Sequence, residues 1–187
     1  MKILSIGAGL GGLTAAIALG KKGMNGEVQE GASKLEGTGG GLTLGLGAQH
    51  VFRAVGLQTT VAQHACPAGT LPFLHYQNAR LLMGDFDHGD GRADDGEANI
   101  VRHIYRADLQ QVLIDALKEL GGPVFTGHKL SDVHDSGDPV TAVFANGDTA
   151  TGALLIGPDG GRSRGRAILW PADAPRFPAH VTHPYLG

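Results

Sequence analysis

Three apolar residues, Ile3, Leu4 and Ile6, stop at Gly7, and Gly9 and Gly12 follow at the spacing G-x-G-x-x-G. A run of small and apolar residues then continues to Gly20. Nothing else in the chain limits its fold as strongly. The apolar triplet reads as a short buried strand and Leu10 to Gly20 as a helix, with Leu13, Ala16 and Ile17 on one side. Gly7 permits the tight turn between them. Gly9 lets the backbone approach a ligand, and Gly12 lets helix and strand pack closely. Gly23 falls where a left-handed residue ends a helix. A second strand over Glu27 to Glu30 completes a β-α-β unit in about 30 residues, the length such a unit requires.

A turn of this kind, with Leu10 and Gly11 inside it, aims free N–H groups and the positive end of a helix at an anion. Glu30 lies 18 residues past Gly12, at the end of the second strand. A carboxylate there accepts hydrogen bonds from a ribose diol and repels a 2′-phosphate. The fitting nucleotide is therefore FAD or NAD, not NADP. A chance turn in a chain with 31 glycines is the rival reading. The flanking strand, the helix and the acid outweigh it.

The length, 187 residues, suits one good core, or one domain with part of another. Net charge is −3 with both signs interspersed, so neither nucleic acid nor an anionic membrane is an expected partner. One cysteine, Cys66, excludes an internal disulfide framework and fits a reducing, cytoplasmic setting. A buried or inert thiol is the expectation for it. Glycines interrupt any signal-peptide core near the N-terminus. No apolar stretch reaches the ~18 residues of a membrane span.

Further along, residues 31 to 47 are glycine-dense, and Ala48 to Val55 reads as a short helix closed by Gly56. Phe73 to Met83 holds strands, and Asp85 to Glu97 is an acidic loop. Ala107 to Leu120 is an amphipathic helix, with Leu109, Val112, Leu113, Ala116, Leu117 and Leu120 at helical spacing. Gly121 and Gly122 end it. Leu130–His134, Val140–Phe144 and Thr149–Ile156 are strand candidates. Asn146-Gly147 signals a type I′ hairpin between the last two. Residues 171 to 184 carry four prolines and read as irregular.

Two more motifs join the first. Arg106-Ala107-Asp108-Leu109 opens the amphipathic helix, where a guanidinium can fork onto phosphate oxygens. Taken alone, it reads better as a solvated arginine near a helix cap. Gly157-Pro158-Asp159-Gly160, with Ser163 and Arg166, follows an apolar strand at its carboxyl end, where α/β sheets place their ligands. A plain turn capped by Asp159 is the competing explanation. In this order the motifs resemble the first half of a class A flavoprotein monooxygenase, the group containing para-hydroxybenzoate and salicylate hydroxylases. The resemblance runs over about residues 1 to 166. Gly39-Gly40-Gly41-Leu42-Thr43-Leu44 is similar to the family's G-A-G-I-x-L segment.

The resemblance implies an α/β, Rossmann-like three-layer FAD-binding fold with a small antiparallel β element. It implies an FAD domain over 1–166, with the start of a substrate domain or an irregular tail over 167–187. It assigns the cofactor to Gly7, Gly9, Leu10, Gly11, Gly12, Glu30, Gly41, Leu42, Arg106, Asp159 and Gly160. In the family, Gly41 and Leu42 pass near the flavin, Arg106 contacts the diphosphate, and Asp159-Gly160 supports both FAD and the nicotinamide cofactor. The implied activity is NAD(P)H- and O2-dependent hydroxylation of a small aromatic or related substrate. The flavin does the hard chemistry and no side chain here is a catalytic nucleophile. No His or Cys sits in an attachment context, so the flavin is expected to be non-covalent.

The chain departs from the family in several places. Gly31 and Glu36 stand where arginines are common, and Leu46-Gly47-Ala48 replaces P-N-A. The downstream Gly-Asp segment, most of the substrate sheet and the C-terminal helix have no counterpart. The chain by itself is therefore expected to be truncated, to bind FAD weakly, and to self-associate or need a complementing C-terminal chain. A truncated FAD-binding module without turnover is one alternative function. An NAD-dependent dehydrogenase is another, and the Asp159-Gly160 motif speaks against it. The histidines are scattered without metal-ligand spacing, so no metal site is expected. The acidic loop is out of register for a calcium site.

Overall fold

The computed structural model of the protein describes residues 1–35, 37, 39–68, 73–83, 101–135 and 137–172. In chain order these form β1 (Lys2–Ile6), α1 (Leu10–Gly20), β2 (Asn25–Gln29), β3 (Gly41–Leu44), α2 (Leu46–Ala54), α3 (Gln58–Gln63) and β4 (Cys66–Pro67). There follow β5 (Phe73–Leu74), β6 (Leu81–Met83), β7 (Arg102–Tyr105), α4 (Arg106–Glu119), β8 (Val124–Phe125), β9 (Leu130–Asp135), β10 (Val140–Phe144), β11 (Thr149–Gly152), β12 (Leu154–Ile156) and α5 (Arg164–Leu169). The chain divides into two compact units: one of Met1–Gly39 and Gln110–Gly187, the other of Gly40–Leu109.

The first unit is built on a parallel sheet in the order β12-β1-β2-β8. Strand β1 pairs with β2 from Lys2↔Asn25 to Ile6↔Gln29, and with β12 from Ile3↔Leu154 to Ser5↔Ile156. Its side chains alternate between two layers. Ser5 donates from Oγ to the Gly12 carbonyl of α1 at 3.5 Å. Leu4 and Ile6 pack into a core with Leu130, Ala142 and Phe144 of the antiparallel sheet β11-β10-β9. The layers are thus helix, parallel sheet and antiparallel sheet. Each fully buried Leu or Ile in β1 contributes roughly 1.5–3 kcal/mol. Helix α1 has the expected bounds, and Leu13, Ala16 and Ile17 are fully buried. Strand β2 begins earlier than expected, and Glu30 lies just beyond its end.

Three local expectations are corrected here. The strand expected over Thr149–Ile156 is two strands, parted at Ala153. A Cβ on Gly152 would meet Leu4 Cγ at 3.0 Å and the Lys2 carbonyl oxygen at 3.1 Å, and the Ala153 N–H donates to that carbonyl at 2.9 Å. The chain crosses there from the antiparallel to the parallel sheet. The hairpin between β10 and β11 is not type I′. Among described non-glycine residues only Ala79 has positive φ, so Asn146 does not meet that turn's requirement. The loop has three residues, closed by Phe144 N–H to Asp148 O at 2.9 Å, with Gly147 alone at φ +91°. Helix α4 ends at Glu119, and Leu120 is exposed rather than part of the buried stripe.

The second unit contains the antiparallel sheet β3-β7-β4, helices α2 and α3, and the hairpin β5-β6. Its core is Leu44, Phe52, Val55, Leu57, Val61, Val101 and Ile104. The glycine-dense segment thus holds a strand, and α3 is an additional helix. Cys66 is exposed on β4, not buried, with Sγ 3.6 Å from the His103 carbonyl. The acidic loop and most of the proline-rich segment lie outside the described residues. Among the described residues, no helix is long and apolar enough to cross a membrane and no His/Cys/Asp/Glu group could hold a metal ion.

Candidate functional site

Strands β1 and β12 are parallel neighbours, so their carboxyl ends deliver Gly7 and Gly157 to one edge of the first unit's sheet. Gly7 has φ +106°, and a Cβ there would meet the Pro158 carbonyl oxygen at 3.1 Å and Asp159 Cα at 3.2 Å. A Cβ on Gly12 would overlap the Gly7 carbonyl oxygen, and would lie 3.3 Å from Pro158 Cγ. The first and third sequence motifs therefore pack on each other. Gly9 differs from both. Its φ of −69° suits any residue, and nothing lies within 4 Å of its Cβ position. The chain's own packing gives no reason for a glycine there. A ligand running across the turn does.

Side chains grip the same turn. Glu30 accepts from the Ala8 N–H at Oε2, 2.7 Å, and from the Ala32 N–H at Oε1, 2.8 Å. Both carboxylate oxygens are thus engaged by backbone, with lone pairs left for a diol. The Gly7 N–H donates to the Gln29 carbonyl at 2.7 Å. From α4, Gln110 donates through Nε2 to the Ala8 carbonyl at 2.9 Å. Leu10, Gly11 and Gly12 form the first turn of α1, whose N–H groups have no helical acceptor. The N-cap, Gly9, supplies no side-chain cap, so the amide cluster is open to an anion.

Asp159 does what the competing explanation expected of it, and leaves something over. Its Oδ2 accepts from the Arg164 and Gly165 N–H groups at 2.7 and 3.0 Å, capping α5. Its Oδ1 is buried without a hydrogen-bond partner. Gly160, at φ +87°, turns the chain beyond it. Ser163 Oγ accepts from the Arg166 N–H at 3.0 Å, and the Arg166 guanidinium donates to the Gly161 carbonyl at 3.1 Å.

The remaining sequence candidates come together in the second unit. Gly41 pairs with Tyr105 and Leu42 with Ile104 across β3-β7. The Arg106 N–H donates to the Gly40 carbonyl at 3.1 Å. The glycine segment and the head of α4 are thus side by side, although 65 positions separate Gly41 from Arg106.

Several buried or half-buried polar residues carry no signal in the sequence. Gln110 is 7 % exposed, and its Oε1 is buried without a partner. Gln49 is 1 % exposed with neither amide atom hydrogen-bonded. Arg102 is buried on β7. His128 stacks between Phe125 and Phe144 and links Gln29 Oε1, 2.6 Å from Nδ1, to Asp148 Oδ2, 3.2 Å from Nε2. Glutamines on an amphipathic helix look like its wet face, so nothing in the sequence marked these two.

A family model described as an FAD binding domain matches residues 1–171. The chain is 29 % identical over 182 residues to 6-hydroxynicotinate 3-monooxygenase of Pseudomonas fluorescens, spanning 97 % of this chain and 46 % of that protein. It is 31 % identical over 182 residues to 3-hydroxybenzoate 6-hydroxylase 1 of Aquipseudomonas alcaligenes, with the same two spans, 97 % and 46 %. The chain therefore spans about half the length of these curated relatives. Among solved structures it resembles Klebsiella pneumoniae HpxO complexed with FAD and uric acid, at TM-score 0.74 and 22 % identity, over 89 % of this chain and 41 % of that one. It also resembles the flavin-dependent monooxygenase PieE in complex with FAD and substrate, at TM-score 0.75 and 24 % identity, over 90 % and 32 %. These structural likenesses show the α/β fold.

Proposed function

The chain belongs to the FAD binding domain family, and from that premise we propose that it serves an NAD(P)H- and O2-dependent monooxygenase acting on a small aromatic or heterocyclic substrate. The curated relatives, named for hydroxylation of such rings, support this reading. Bound FAD supplies the redox chemistry. The chain's own residues bind and orient it. Gly9 and the first-turn amides of α1, with Leu10, Gly11 and Gly12, take the pyrophosphate. Glu30 accepts from the ribose hydroxyls with the lone pairs its backbone donors leave. Arg106 neutralises phosphate charge. Gly41 and Leu42 lie along the flavin, and Asp159-Gly160 borders the cofactor. The domain holding it is residues 1–166. The lone exposed thiol suits a reducing cytoplasm.

One observation carries this reading: Gly9 is a glycine for which the surrounding chain gives no cause. Titrating the 187-residue chain with FAD tests it. Saturable binding by the parent and none by Gly9→Val is the expected pair of results. Equal binding by both overturns the assignment of the turn. A second reading is an FAD-holding module without turnover of its own, since no residue assigned here performs acid–base or nucleophilic chemistry. Purified chain, FAD, NAD(P)H and O2 with a panel of phenolic acids separates the two. Hydroxylated product supports the enzyme, and its absence despite bound FAD supports the module.

A further inference from the structure

We infer that Gln110 is a positioning residue of the dinucleotide site: its side-chain amide sets the direction in which the Gly9 N–H faces the pyrophosphate. This rests on the reading of the Gly7–Gly12 turn as the FAD site. No sequence motif assigns Gln110 a role.

The geometry is that of one peptide plane. Gln110 Nε2 donates to the Ala8 carbonyl at 2.9 Å. That carbonyl and the Gly9 N–H belong to the same trans peptide and point in opposite directions. Fixing the carbonyl on Gln110 therefore turns the Gly9 N–H away from that side chain. The Gly9 N–H carries no hydrogen bond among the described residues. The preceding peptide is fixed by Glu30, which accepts from the Ala8 N–H at 2.7 Å. Ala8 is 1 % exposed and is thus held on both sides by polar side chains from outside the turn. Helix α1 cannot supply this restraint. Its first intrahelical bond runs from the Leu13 N–H to the Gly9 carbonyl, at 3.0 Å, and leaves the Ala8 carbonyl free.

Gln110 is more than nine-tenths buried, and its Oε1 has no hydrogen-bond partner. Because Nε2 must face the Ala8 carbonyl, the amide cannot be reversed to relieve this. An unpaired acceptor beside a ligand turn marks a place for a donor from outside the chain. A phosphate offers none. The group that fits is a hydroxyl of the ribityl chain, or a water held with the pyrophosphate.

The test compares the parent chain with Gln110→Leu, Gln110→Glu and the neighbouring control Gln111→Leu. Affinities for FAD, ADP and adenosine are measured together with thermal unfolding. Gln110→Leu should bind FAD and ADP about tenfold more weakly, the consequence of losing one oriented hydrogen bond. Its adenosine affinity should stay as in the parent, because adenosine has no pyrophosphate. Gln110→Glu, isosteric and unable to donate once ionised, should lose more ADP affinity than Gln110→Leu at a pH where its carboxylate is charged, and recover it as the pH falls. It carries the test if the leucine variant fails to fold. Gln111→Leu should match the parent. A larger loss for FAD than for ADP assigns the hydroxyl to the flavin half, and equal losses assign it to a water held at the pyrophosphate. Parental ADP affinity in both Gln110 variants overturns the inference, as does an adenosine loss in step with the ADP loss, which marks a structural role. If the parent binds neither FAD nor ADP, the functional reading falls and takes this one with it.

Discussion

Two glycine-rich stretches, Gly7–Gly12 and Gly39–Gly47, look alike in sequence and differ in what they ask of glycine. In the first, two of the glycines are required by the chain itself. Gly7 has positive φ against the Pro158–Asp159 backbone, and Gly12 lies where any side chain would overlap the Gly7 carbonyl. In the second, Gly39 has φ +116°, while Gly40, Gly41, Gly45 and Gly47 have open space at the Cβ position and no positive φ. Gly9, and Gly11 with only Pro158 Cβ at 4.0 Å, carry no such requirement, and Gly9 behaves like the open glycines of the second. The difference separates glycines kept by packing from glycines kept free of packing. The first kind should fail in stability when replaced, the second in binding.

The sharpest way to break this comparison is Gly12→Ala. The clash is with backbone, which has little room to give, so the loss should reach about 3 kcal/mol, the upper end for overpacking. Urea unfolding measures it. A loss under about 1 kcal/mol would mean the turn relaxes and the packing argument is void. Gly9→Val comes next. Its stability should stay within about 0.5 kcal/mol of the parent. FAD affinity should fall at least about a hundredfold, near 2.7 kcal/mol. Loss of stability instead of affinity would move Gly9 into the packing class.

Glu30→Ala sits between the classes, because its carboxylate both holds Ala8 and is assigned to the ribose. FAD binding should weaken by about 1–3 kcal/mol, the range for a charge-assisted hydrogen bond. Some thermal stability should go with it, since the Ala8 and Ala32 N–H groups lose their acceptor. Calorimetric titration showing unchanged FAD affinity would leave Glu30 a purely structural acid. The smallest effect is expected at Gly41→Ala. With open space and an ordinary φ, it should leave stability unchanged or raise it by about 0.5 kcal/mol. Weaker FAD binding would place Gly41 with Gly9. Unchanged binding would leave the strand without a role at the flavin.

The sequence disclosed those parts of the fold whose pattern is local. Helix α1 was legible because Leu13, Ala16 and Ile17 recur at helical spacing between glycines with defined jobs. Glu30 was legible because its place after a second strand follows from the length of the β-α-β unit. Strand β3 was hidden, since Leu42 and Leu44 alternate over only four residues inside a glycine-dense run and its pairing with β7 is remote in sequence. The break at Ala153 was hidden for a similar reason: it depends on Gly152 lying against Lys2 and Leu4. Asn146-Gly147 suggested two turn residues, and a three-residue loop formed because Gly147 alone takes the left-handed conformation. Gln110 and Gln49 were hidden because a polar side chain on an amphipathic helix normally faces water.

The contact of Gly7 and Gly12 with Pro158 fixes an order of events during synthesis. The turn's sequence emerges well before its packing partner, which follows about 150 residues later. At ribosomal speeds of ~5–20 residues per second, that interval is on the order of ten seconds. Throughout it, β1 lacks its β12 neighbour, and the edge that β12 will cover stands unpaired. The nascent protein must keep that edge from other strands before it can finish the turn.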